Sequence, residues 1–75
     1  MMNYKNIILN KKSLSYEVAQ YIKDQIINGH IELGSQINLQ EIRKNLEISR
    51  TPVREAIQQL VAENVLTYVR NKGYF

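Results

Sequence analysis

A very short gap between two helical patterns constrains this chain more than any other feature of its sequence. The first pattern ends at Leu46, and the next begins at Ser49, whose hydroxyl can cap a helix. Pro52 then lies in the first turn, where a missing N–H costs nothing. Only Glu47 and Ile48 connect the two helices. The helices must therefore cross steeply, and the later one must project its N-terminal end outward.

Two helical patterns precede this tight turn. An apolar stripe at the helical period predicts a first helix that starts near Ser13 to Ser15 and ends at Asn28-Gly29. A capping box over residues 38–41 predicts the start of the second helix, where Asn38 accepts from the backbone of Glu41 and the Glu41 side chain reaches back to Asn38. The inward residues of these two helices are predicted to be Leu14, Val18, Tyr21, Ile22, Ile26, Leu39, Ile42 and Leu46.

After the third helix, the sequence changes from a helical period to strand composition. Asn64 tolerates the left-handed conformation and is predicted to end that helix. Residues 65–70 are rich in strand formers, Asn71-Lys72-Gly73 has hairpin-turn composition, and Tyr74-Phe75 begins a return strand. Gln36-Ile37 could form a further, very short strand. We therefore expect a mainly α domain with a small β-hairpin, a winged helix-turn-helix of three helices plus a wing.

The charge is distributed unevenly along the chain. The 75 residues carry a net charge of +3, which divides into +3 over residues 1–12, −3 over residues 13–42 and +3 over residues 43–75. A basic end and a basic second half suit a polyanionic partner, although charge alone favours a solvated surface of mixed charges. We predict a flexible basic arm over residues 1–12 and one domain over residues 13–75.

Composition excludes several other classes of protein. The chain has no cysteine, so it can form neither a disulfide framework nor a thiolate metal site. No apolar run is long enough to span a bilayer, and we expect a soluble, cytoplasmic protein with no membrane contact. His30 is a lone histidine in a loop, so we expect no metal and no cofactor. No catalytic set of side chains is present, and we expect no enzymatic activity.

One face of the third helix, predicted over about residues 49–63, carries the residue types that read DNA. Arg50 and Arg54 are four residues apart, hence about 6 Å apart along one helix face. A guanidinium matches the N7 and O6 acceptors of guanine, and Thr51 can bind a phosphate or a thymine methyl. On an arbitrary helix, two such arginines would more often be solubilising residues. The capped helix before them and the hairpin after them favour DNA binding instead.

The predicted wing supplies a second, weaker indication of the same function. Lys72 adds charge at its tip, and Gly73 permits close approach of a DNA backbone. The same residues occur in ordinary hairpin turns. The alternative function is a protein–protein interaction module, in which Leu39, Tyr68 or Tyr74 would form an exposed patch.

The run Ser49-Arg50-Thr51-Pro52-Val53-Arg54-Glu55-Ala56-Ile57, followed by Leu60, resembles the signature of the GntR family of bacterial transcription regulators. It is most similar to the FadR-like branch of that family. The segments Gly29 to Gly34 and Lys72 to Phe75 resemble the family's linker and wing. The resemblance covers about residues 13–75.

This resemblance implies a winged-helix domain that binds short palindromic operators in double-stranded DNA as a homodimer, most often as a repressor. It implies that Arg50 and Arg54 read bases and that Ser49 and Thr51 contact the DNA backbone. Lys72 and Gly73 would act in the wing. Gln40, at the start of the second helix, matches a position that touches DNA in some members.

The sequence departs from the family pattern at several positions. Glu47 stands where the family usually has a glycine in the turn, Arg43 where a small residue packs, and Asn64 where glycine is common. Family members also carry a C-terminal effector domain that binds a metabolite and supplies most of the dimer interface. We find none of it in this sequence, and we expect either a fragment or a standalone DNA reader that dimerises weakly.

Overall fold

A computed structural model of the chain describes the backbone of residues 4–75 and the side chains of residues 14–75. The described elements are three helices followed by a two-stranded antiparallel hairpin. In chain order they are α1 (Tyr4–Ile27), α2 (Leu39–Leu46), α3 (Arg50–Ala62), β1 (Tyr68–Val69) and β2 (Gly73–Tyr74). This arrangement confirms the predicted fold class.

The start of α1 differs from the prediction. The helix begins at Tyr4, so Ser13 and Ser15 lie inside it and cannot be its N-cap. The segment before Ser13 contains no glycine or proline, and no residue in it stops a helix from extending. The predicted arm, residues 1–12, overlaps this helical backbone, and its first three residues lie outside the described part of the chain. Its separateness from the domain stays a prediction.

The core lies where α3 packs against α1 and α2. Most of the predicted inward residues are buried or half-buried there, which confirms the helical stripes. Leu14 is an exception, being 43% exposed, and Ala19 is a buried residue that the stripe did not include. The buried core residues are Val18, Ala19, Ile22, Ile37, Ile42, Val53, Ala56, Ile57, Leu60 and Leu66.

The turn between α2 and α3 keeps a tight geometry without glycine. Glu47 adopts the left-handed conformation, with φ 54° and ψ 44°, and its N–H donates to the carbonyls of Arg43 and Lys44. The N–H of Ile48 donates to the Arg43 carbonyl at 3.2 Å. Ile48 is half-buried against the core. The turn therefore retains the backbone that glycine would favour, with a glutamate in its place.

The caps of α2 and α3 are only partly those expected. At α2, the Glu41 N–H donates to Oδ1 of Asn38 at 3.0 Å, which confirms that half of the capping box. At α3, Ser49 occupies the N-cap position, but its hydroxyl makes no capping bond. Asn64 follows α3 with φ 61°, which confirms its predicted left-handed conformation.

The hairpin begins later than its composition predicts. The N–H groups of Val65 and Leu66 both donate to the Leu60 carbonyl, and this keeps them at the end of α3 instead of in a strand. Thr67 and Phe75 then exchange two backbone hydrogen bonds of 2.9 Å just outside the assigned strands. The turn contains Asn71 at φ 65°, in agreement with its predicted turn role.

A polar contact joins α1 to the end of α3. The Lys23 Nζ lies 3.0 Å from a Glu63 carboxylate oxygen, and Gln59 donates to the other oxygen at 3.4 Å. The hydrogen bond from Lys23, helped by that from Gln59, holds the pKa of the Glu63 carboxyl below its usual value. The contact is solvent-exposed and therefore adds little to the stability of the domain. It joins the same two helices that pack together in the core.

Replacing Glu47 by glycine should stabilise the domain. An L-residue in the left-handed region is strained by about 1–2 kcal/mol, and glycine removes this strain. Part of that gain in stability is lost because glycine has more conformational freedom in the unfolded chain. We expect a net gain of about 0.5–1 kcal/mol, measured by urea unfolding. Glu55→Gly, inside α3, is the matched control and should lose about 1 kcal/mol. Equal losses for both variants would contradict the strain assigned to Glu47.

Candidate nucleic-acid interface

The outer face of α3 is the exposed basic surface that the sequence predicts. Arg50, Thr51 and Arg54 are all exposed, as are Glu55 and Gln58 on the same helix. Neither arginine forms an ion pair with a described residue. The opposite face is anchored by buried Pro52, Val53, Ala56, Ile57 and Leu60. Because burial of that face fixes the helix rotation, both guanidinium groups stay on the solvent side.

The N-terminal end of α3 offers hydrogen-bond donors to an anion. The Ser49 side chain is exposed, and no capping bond joins its hydroxyl to the first turn of the helix. The first N–H groups of a helix lack partners within the helix, and the helix dipole makes this end partly positive. An anionic group such as a phosphate can be bound here, next to Thr51.

An open cleft of about 780 Å³ brings part of the predicted site together. It lies between the start of α2, the outer face of α3 and the second strand of the wing. Gln40, Arg50 and Arg54 line it, and the other lining residues are Gln36, Ile37, Asn38, Leu39, Arg43, Val53, Ile57, Gln58 and Tyr74. This set contains three arginines and no carboxylate, so the cleft is suited to a polyanion.

Arg43 and Gln36 line this cleft but were not among the predicted site residues. Arg43 follows Gln40 by three positions and therefore shares its face of α2. That spacing could have identified Arg43, which we treated only as a departure from a family pattern. Gln36 was assigned to a short strand, and its side-chain contact with the wing depends on tertiary structure that no local pattern reveals.

The wing is attached to the domain by two hydrogen bonds. The Ile37 N–H donates to the Tyr74 carbonyl at 2.8 Å. This single bond does not make a strand, so the short strand suggested at Gln36-Ile37 is absent from the described elements. The Gln36 Nε2 donates to the Lys72 carbonyl, also at 2.8 Å. Lys72 itself is exposed, whereas Gly73 is half-buried. Neither Lys72 nor Gly73 lines the cleft, whereas Tyr74, the next residue along the chain, does.

The surface required by the alternative function is poorly developed. Leu39 and Tyr74 pack against the core and are only partly accessible. Tyr68 is 53% exposed, but its ring lies 5.1 Å from that of Tyr74 in a tilted pair within the hairpin. Two of the three residues are therefore half-buried, which reduces the apolar surface that they could offer to a protein partner.

The described residues also bear on metal binding and on membrane insertion. No group of three or more His, Asp or Glu side chains there is placed to hold a metal ion. None of the helices in residues 4–75 has the apolar length that a bilayer crossing requires.

A helix pair joined by a tight turn, an exposed basic third helix and an attached hairpin define the winged helix-turn-helix class of DNA-binding domains. The sequence model described as "Bacterial regulatory proteins, gntR family" matches residues 14–75. The chain therefore belongs to the GntR family, whose members are transcription regulators rather than enzymes. The matched residues form the helix-turn-helix domain of that family, the part with which GntR regulators bind DNA.

Curated relatives agree with this family assignment. The chain is 43% identical over 49 residues to the Nta operon transcriptional regulator of Aminobacter aminovorans, covering 65% of this chain and 23% of that protein. It is 34% identical over 62 residues to the gluconate operon transcriptional repressor of Bacillus subtilis (83% and 26%). It is 33% identical over 60 residues to the transcriptional repressor GlaR of Escherichia coli (80% and 27%).

The chain spans about a quarter of the length of these relatives. A search of solved structures gave no significant match.

Replacing Gly73 by alanine should disturb the attachment of the wing. Gly73 has φ 112°, and an added Cβ would lie 3.2 Å from the Gln36 Nε2 that holds the Lys72 carbonyl. We expect a loss of about 1–3 kcal/mol in urea unfolding and faster hydrogen exchange of the Thr67 amide. Gly34→Ala is the control, since Gly34 also has a positive φ but has open space around it. An equal or greater loss of stability in Gly34→Ala would contradict the claim that Gln36 leaves no room for a Cβ at position 73.

Proposed function

We propose that this domain reads an operator through Arg50 and Arg54, placed in the major groove by α3. The observation that carries the proposal is the exposure of these two unpaired arginines on one helix face, in a cleft whose lining has no carboxylate. One turn of helix separates them by about 6 Å along the axis, and base pairs rise by about 3.4 Å. Each guanidinium can therefore reach a different base, most favourably a guanine.

Five further residues would hold the domain in register on the duplex. Ser49 and Thr51 lie at the N-terminal end of α3, where hydroxyl and N–H groups can bind one phosphate. Gln40, on the α2 side of the cleft, is within the same concave surface and would contact the edge of the groove. Lys72 and Gly73 would bring the wing to the adjacent backbone or minor groove.

The regulatory output that we propose is repression. Relatives in Bacillus subtilis and Escherichia coli are named as transcriptional repressors. The region that each shares with this chain covers most of the chain and about a quarter of the repressor. Membership of the FadR-like branch is part of the same proposal, supported by the run from Ser49 to Ile57. The protein would act in the cytoplasm, where bacterial DNA is found.

We further propose that two copies bind a short palindromic operator. Two linked copies that engage two half-sites gain effective concentration, so a chain that dimerises weakly should bind weakly. A tandem or otherwise dimerised version should select a palindrome from random duplex DNA. The 75-residue chain alone should select the corresponding half-site.

Selection from random duplex DNA, followed by variant titrations, tests the base-reading role. Arg50→Ala and Arg54→Ala should each lose about 1–3 kcal/mol of discrimination at one base pair of the selected site. Arg54→Lys keeps the charge but loses the planar fork, so it should retain general affinity while losing the base preference. If both alanine variants keep the full base preference, the assignment of these two arginines is wrong.

A further inference from the structure

A third arginine of the cleft has a different environment from the two on α3. Arg43 is half-buried on α2, one helical turn beyond Gln40, and it lines the same cleft as Arg50 and Arg54. Its Nε is shielded from solvent and has no hydrogen-bond partner among the described residues. No described carboxylate forms an ion pair with it.

We propose that Arg43 is a phosphate contact of this protein, in which the terminal NH2 groups of its guanidinium bind a DNA phosphate from the cleft while its Nε stays shielded. The proposal rests on the DNA-reading function above and assigns to it a residue that the family signature does not include. A buried N–H of a charged group without a partner is unfavourable for the folded domain. A phosphate is the type of anion that satisfies a guanidinium with two parallel hydrogen bonds.

The position of Arg43 favours a phosphate over a base as its partner. In a helix-turn-helix, the second element of the pair enters the groove, and the helix before it crosses the DNA backbone. Arg43 belongs to that earlier helix, α2, whereas Arg50 and Arg54 belong to α3. With no acid in the cleft lining to neutralise it, the positive charge of Arg43 remains available to the duplex.

The test measures binding of the 75-residue chain to its selected duplex by fluorescence anisotropy at several salt concentrations. Arg43→Met removes the charge and retains an apolar stem of similar shape. We expect about tenfold weaker binding at low salt, with the slope of log K against log salt reduced by about 0.9 and the base preference unchanged. The free variant should unfold at the same temperature or a higher one, because the unsatisfied group is gone.

Lys44→Met is the matched control, since Lys44 is the neighbouring cation on α2, is exposed and does not line the cleft. Its salt slope should stay close to that of the unmodified chain. Arg43→Lys, which keeps the charge, should retain the slope. If Arg43→Met fails to fold, Arg43→Gln provides the same comparison with Arg43→Lys.

Several results would overturn the proposal, and they can be told apart. An unchanged salt slope and affinity in Arg43→Met, with normal binding by the unmodified chain, would reject the Arg43 contact alone. A changed base preference would show that Arg43 reads a base instead of a phosphate. A reduced unfolding temperature with an unchanged slope would assign it a packing role. Failure of the unmodified chain to bind any duplex at low salt would reject the proposed function as well.

Discussion

The packing of α3 against α1 is the interaction on which the rest of this domain depends. Ile22 of α1 and Leu60 of α3 are fully buried, and Val53 and Ile57 are almost so. Burial of each such side chain contributes about 1.5–3 kcal/mol, a large amount for a domain of this size. The same contacts fix the rotation of α3 about its axis. They thereby determine which of its side chains remain available to DNA.

The turn before α3 sets the second geometric constraint, which is the direction in which the helix emerges. Glu47 holds a left-handed conformation there, and Arg43, one turn earlier, has a buried donor without a partner. The conformation of Glu47 and the unpartnered Nε of Arg43 are each locally unfavourable. Both lie in the segment formed by α2 and the turn that leads into α3. Such local inconsistencies are expected where a structure serves binding rather than stability. The core, by contrast, contains no buried polar or charged residue among the described side chains.

Local sequence signals were sufficient to predict the structure where the conformation of one residue determines how a helix or turn begins or ends. The capping residue Asn38 and the left-handed positions Asn64 and Asn71 were identified because their side chains determine the nearby backbone. The exposed face of α3 followed from period alone, since its apolar positions define the opposite face. These features account for the fold class and for the two arginines of the candidate site.

The features that were missed have both local and long-range causes. The early start of α1 was not foreseen because two serines resembled a cap, whereas they lie within a continuous helix. The late start of β1 results from two hydrogen bonds to the Leu60 carbonyl, which strand propensity does not encode. Gln36 became part of the cleft only through its hydrogen bond to the wing, 36 positions away in the sequence.

The central claim is that the outer face of α3 is the surface that contacts DNA. Amide chemical-shift mapping of the 75-residue chain, titrated with its selected duplex, tests this claim most directly. The account predicts the largest shifts at the start of α3, with smaller ones at the start of α2 and in the wing. Shifts confined to the exposed side of α1, or none at a duplex concentration that gives binding, would contradict it.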